Sequence, residues 1–177
     1  GSCGLVGYYG MNADAATTQI VIENCYTTEL LRGSTTGDRD YVKITNSLQL
    51  TEDELASMAI ALGSAYIYDC EWENRGFPVL KWQCDTVLPS DLRFTTAGQL
   101  RRLAYAVNSG ENLFSGKTLY LENDIDLKYR QWLPIGGNLP DQNNNISFRG
   151  SFDGQGHIIK NLRVTTSRYY VGFFGSM

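Results

Sequence analysis

The sequence holds a single histidine and four cysteines among its 177 residues, which narrows the available chemistry. A mixed zinc site needs Cys and His at short, paired spacings. Cys3, Cys25, Cys70 and Cys84 form no such pair, and a lone His157 cannot complete one. No metal and no cofactor is expected. Lys/Arg runs are missing too, and a net charge of −4 with a pI near 5.0 argues against nucleic acid or an anionic membrane as partner. No apolar run approaches the roughly 18 residues of a membrane span, so no membrane insertion is expected. Charged residues make up only 19%, against 42% hydrophobic, which is a globular rather than a disordered composition.

What the sequence has in quantity is turn formers and β formers: 18 glycines and 11 tyrosines, with many Asn and Thr, point to short strands joined by tight turns. The chain opens "GSCGLVGYYG" without an initiator Met and stops in mid-strand at "YYVGFFGSM", as expected of a piece of a longer polypeptide. "TTQIVIENCYTTELL" alternates Ile20, Ile22 and Asn24 against Val21, Glu23 and Cys25, the period of a strand. "RGSTTGDRD" is a loop and "YVKITNSLQL" another strand.

Two stretches change period. In "LTEDELASMAIALGS", Thr51 and Glu54 form a capping box, Leu55, Met58, Ala59 and Leu62 an apolar stripe, and Gly63 a stop, which predicts a helix. Thr96 with Gln99, the stripe Leu100, Leu103, Ala104 and Val107, and Gly110 predict a second. Between them "AYIYDCEWENRGFPVLKWQ" reads as an extended piece, a turn at Asn74-Arg75-Gly76 and a closing segment from Phe77 to Trp82. Residues 84–92, with Pro89 and little periodicity, read as a linker. Cys25 reads as a small buried apolar residue. Cys70 and Cys84 are candidates for a bridge that spacing alone leaves open.

"FRGSFDGQGHIIKNLRV", residues 148–164, followed by "VGFFG" at 171–175, resembles the repeat of bacterial surface proteins that carry the GLUG motif. That pattern is F-x-G-x-F-D-G-x-G-H-x-I-x-N-L and then V-G-[LF]-F-G. "FTTAGQLRRLAYAVNSGENLFSGKTLYLENDIDL" with "WLPIG" resembles the helix-then-strand entry to such a module. "GLVGYYG" (echoed by "YVGFFG" at 170–175), "IENCYTTE" and "GFPVLKWQ" resemble its closing part. The resemblance implies a mainly β protein, a right-handed parallel β-helix whose coils carry two short capping or packing helices. Residues 1–83 would be the closing half of one module, 84–92 a linker, and 93–177 the opening half of the next. It also implies a secreted or cell-surface chain with a structural or adhesive role. Its expected partners are a second copy stacked end to end, or an extracellular glycan or protein.

Three constellations invite chemistry. Asp153 and His157 form a candidate carboxylate–imidazole base, but no nucleophile motif accompanies them. Asp153, Gly150, Gly154, Gly156 and His157 therefore read as a structural turn, with Ile158, Ile159 and Leu162 securing the next coil. Asp124 and Asp126, beside Glu122, share a strand face as a hydrolase pair would, and with Asp141 and Asn143–Asn145 they offer hard oxygens to calcium. For the pair, the preferred reading is the recurrent structural strand that the GLUG resemblance implies for "NDIDL"; for the oxygen cluster it is a solvated turn. Trp72, Tyr169 and Tyr170 are the candidate sugar-stacking aromatics, Trp72 being expected exposed and Trp82 expected as a lid on the core. No catalytic residue is assigned. The alternative is a carbohydrate-active enzyme or a carbohydrate-binding accessory domain.

Overall fold

The computed structural model describes residues 50, 54–55, 58–137, 146–165 and 171–177, together with the backbone of short strands between 4 and 49. The chain divides into two compact units, Gly1–Leu55 and Ala56–Met177. In the first, β1 (Gly4–Val6), β2 (Ile20–Glu23), β3 (Tyr26–Thr27), β4 (Leu30–Arg32), β5 (Val42–Thr45) and β6 (Leu48–Gln49) form two-stranded parallel sheets, β1 with β4, β2 with β5 and β3 with β6. The β2–β5 register sets Ile20 opposite Val42 and Ile22 opposite Ile44.

The second unit begins with an antiparallel hairpin of β7 (Tyr66–Ile67) and β8 (Val79–Leu80). Its turn is built by Asp69, whose carboxylate accepts the backbone N–H groups of Glu73 (2.9 Å), Asn74 (2.7 Å) and Gly76 (2.9 Å). One short acidic side chain thus satisfies donors that a buried loop would leave orphaned. A 3-10 turn, Lys81–Gln83, follows, and residues 84–92 run on within the same unit.

Next come β9 (Arg93–Phe94) and the helix α1 (Ala97–Asn108). The Thr96 hydroxyl accepts the Gln99 N–H at 3.1 Å, and the Gln99 carboxamide oxygen accepts the Thr96 N–H at 3.2 Å, the capping box expected from sequence. Leu100, Leu103 and Val107 are fully buried, Ala104 nearly so, and Arg101, Tyr105, Ala106 and Asn108 join them. The burial therefore extends well beyond one stripe. β10 (Thr118–Leu121) buries Leu119 and Leu121 and turns Thr118 and Tyr120 outward, as period two requires.

β10 lies between β9 and β12 (Ser151–Asp153), both parallel to it, and β11 (Ile125–Asp126) pairs parallel with β13 (Ile159–Lys160). Isolated parallel bridges join Gln131 to Arg163 and Ile135 to Phe174. The aromatics of the closing "VGFFG" complete the packing. Phe173 stacks on Trp132 at 4.8 Å between centroids, and Phe174 packs edge-on against Phe152 and against Phe173.

The expected parallel β-helix is not what the chain forms. The described strands are two to four residues long and fall into separate sheets of two or three, one of them antiparallel. The arrangement is a weakly mixed α/β one with no solenoid among the described residues. The reason lies in the helix and the turns. α1 fills the core, where stacked coils would have met each other. Polar turns at Asn123–Asp124 and Lys128–Tyr129, the latter two residues at φ 56° and 53°, interrupt the strands before a continuous sheet can grow. Nor are there two regular helices among the described residues. Of the expected first one, Glu54 and Leu55 are helical and the chain turns over 58–62, with Met58 and Ala59 buried.

Candidate functional site

The turn after β12 places the motif residues individually. Gln155 (φ 49°) and Gly156 (φ 81°) take the left-handed conformation. The Asp153 carboxylate accepts the Gln155 N–H at 2.9 Å, and the His157 N–H donates to the Gly154 carbonyl at 2.8 Å. Gly150 has a different role from the expected one: a Cβ there would sit 2.8 Å from the Phe148 ring and 2.9 Å from the Phe114 carbonyl. It is needed for close approach rather than for turning. Ile158 and Leu162 are likewise not the anchors expected, at 58% and 39% exposed; Ile159 packs against the core.

Asp153 and His157 do not meet as an acid–base pair. The His157 imidazole Nδ1 faces Asp124 at 3.5 Å, and Asp124 also accepts the Ile158 N–H, 34 residues on, at 2.9 Å. Asp126 accepts the Lys128 N–H at 2.8 Å and the Asn161 amide at 2.7 Å. Those two contacts, the backbone one foremost, hold its carboxyl below the usual range. Glu122 is bound by the Gln155 side-chain amide at 3.0 Å and by Arg93, and the Gln155 contact followed by Arg93 lowers its carboxyl as well. The carboxylates therefore fasten the chain to its own later return. Asp141, Asn143–Asn145, Tyr169 and Tyr170 lie outside the described residues. Among the described residues no three His, Cys, Asp or Glu side chains converge as metal ligands, and no helix is long and apolar enough to cross a membrane.

Trp72 is half-buried rather than exposed. Its ring carries the Arg101 and Arg130 guanidiniums, 5.3 and 5.7 Å from the centroid, and lies so close to Gly76 that a Cβ there would be 2.7 Å away. Two cation–π contacts and a glycine floor occupy the surface a sugar would need. Trp82 is the reverse of the expected lid: it stands 76% exposed on the 3-10 turn, outside the hairpin.

Beside the hairpin lies a cavity of about 330 Å³ lined by Asp69, Cys70, Glu71, Glu73, Gln83, Cys84 and Asp85, among others. Cys70 is buried and Cys84 half-buried, and both are free thiols. The Cys70 Sγ lies 3.3 Å from the Tyr68 carbonyl and within hydrogen-bond reach of the Cys84 sulfur. That hydrogen bond pulls the Cys84 thiol down to about 6. The same contact, with burial, pushes the Cys70 thiol up. Both line the same cavity, although the β7–β8 register does not pair them, so neither the cysteine spacing nor the turn signalled their meeting. No family model matches the chain, and no curated protein or solved structure matches it.

Proposed function

We propose that the chain is a non-catalytic structural or adhesive segment of a bacterial cell-surface protein, working outside the cell as part of a longer secreted chain. The observation that carries this reading is the use made of the motif's polar groups. Asp153, Asp124 and Asp126 each accept a backbone N–H, so groups that could do chemistry act as turn and strand fasteners. The resemblance of 148–164 and 171–175 to GLUG repeats supports the extracellular setting. Trp82, Val87, Tyr129 and Val171, at 76%, 73%, 66% and 62% exposure, supply apolar contact area for a partner. β12 and β13 have a neighbour on one side only among the described sheets, and such edges can pair with a second copy.

The test is size-exclusion chromatography with multi-angle scattering over a concentration series, followed by electron microscopy of the concentrated sample. Growth into rods or oligomers is the expected result, and a strict monomer removes the self-assembly part. A glycan array, run with wild type and Trp82→Ala, then reads the adhesive part. Exposed Trp82 favours a sugar partner, so a signal lost in the variant is expected. Turnover of any polysaccharide by the chain would overturn the non-catalytic reading.

A further inference from the structure

We propose that Cys70 and Cys84 form a reactive dithiol that is converted to an intramolecular disulfide by small cationic disulfides. Four observations bear on it, none of which depends on the role proposed above. The thiols line one cavity of about 330 Å³, large enough to admit one arm of a small disulfide. They act on each other, each shifting the other's ionisation in the opposite sense. They differ in access: Cys70 is 1% exposed, whereas Cys84 is half-buried at the end of the 3-10 turn. Finally, the cavity wall carries the carboxylates Asp69, Glu71, Glu73 and Asp85 and no lysine or arginine.

These features assign the roles. Cys84, accessible and with its thiol lowered to about 6, is the attacking sulfur, since the thiolate is the nucleophile. It attacks one sulfur of R–S–S–R, forming a Cys84–S–S–R mixed disulfide and releasing R–S⁻. That thiolate takes the proton of the Cys70 thiol. Cys70 then attacks the Cys84 sulfur, the Cys84–SR bond breaks, and a second R–S⁻ leaves and is protonated by water. In balance, two protein thiols and one small disulfide become one protein disulfide and two small thiols. The small disulfide is the oxidant, so no other is needed. Asp69, Glu71, Glu73 and Asp85 line the cavity. The positive groups nearby are Arg101, which donates to the Cys70 carbonyl at 3.1 Å, Arg102, whose field reaches Cys70 from α1, and Arg130, which donates to the Glu71 carbonyl; none of the three lines the cavity. A cationic reagent is concentrated there and an anionic one repelled.

The probes are cystamine and 3,3′-dithiodipropionate, which are similar in size and opposite in charge. They are applied to the full chain carrying Cys3→Ser and Cys25→Ser, with products located by peptide mass mapping. Cystamine is expected to give a Cys70–Cys84 cross-link, roughly ten-fold or more faster than the dianion at low salt, with the ratio collapsing at high salt. Cys70→Ala is expected to stop at the mixed disulfide on Cys84, and Cys84→Ala to leave Cys70 unmodified. Iodoacetamide labelling of Cys84 should rise with a midpoint near pH 6. Both thiols remaining alkylatable after cystamine in the chain that retains Cys70 and Cys84 would overturn the dithiol assignment, whatever the stability of the Cys70→Ala and Cys84→Ala variants. Equal rates for the two probes would overturn the choice of cationic disulfides.

Discussion

Between Phe94 and Leu127 the second unit is held by side chains with almost no exposure, among them Phe94, Leu100, Leu103, Leu119 and Leu127 at 0%. Between Ser151 and Thr165 no residue is fully buried, and the chain is held by N–H groups delivered to carboxylates 33 to 35 residues away. A fully buried leucine contributes about 1.5–3 kcal/mol, whereas an exposed polar contact contributes a fraction of that because water competes for both partners. The helix side should therefore set the stability of the unit, and the motif side should set the path and register of the returning chain.

Leu103→Ala removes a fully buried side chain of α1 and should give the largest loss, about 2–5 kcal/mol by urea denaturation. A motif-side change such as Ile158→Ala costing as much would break the comparison. Gly136→Ala comes next. Gly136 holds φ +77°, and an added Cβ would collide with the Ser176 carbonyl oxygen, so a loss of roughly 1–3 kcal/mol is expected for a left-handed non-glycine residue in a closed space. Thr96→Ala removes the cap of α1 and should cost about 1 kcal/mol.

Asp126→Asn sharpens the polar side. Because the folded carboxyl is lowered, its stabilising contribution is present above the unfolded value, near pH 4, and is lost as pH falls through the folded one. Thermal melts should separate wild type from variant at pH 7, and the gap should close at pH 2. His157→Ala should have the smallest effect, within about 0.5 kcal/mol, because the exposed imidazole holds only a long contact to Asp124. A larger loss on melting would show that this contact matters to the turn.

Periodicity made part of this legible. The capping box Thr96–Gln99, the buried stripe of α1 and the inward Leu119 and Leu121 follow from spacing and hydrogen-bonding type alone. The turn at Asp153–Gly156 was legible as a turn, and Gly156 is left-handed as expected, but its partner in that conformation is Gln155, while Gly150 and Gly154 are not left-handed. The long-range assignments were not legible. His157 lies beside Asp124, Trp72 is covered by two arginines from other segments, and Trp82 is exposed. In each case the neighbour comes from a distant part of the chain. The expected solenoid failed for a related reason: local strand-and-glycine patterns do not reveal how far a strand pairs before a polar turn stops it.

By itself the sequence determined the elements whose causes are local: caps, stripes, alternation and turns, each closed within a few residues by hydrogen bonds and sterics. It also bounded the chemistry, through one histidine and few cysteines. The tertiary structure decided which side chains share a space. The parallel return of the chain delivers Ile158 N–H to Asp124 and Asn161 to Asp126, and Cys70 and Cys84 come to line one acidic cavity. Those encounters depend on the register of chain return and on what the core excludes. Both are set by the packing of the whole unit, because a buried helix and close-packed side chains leave few positions open to the segments around them.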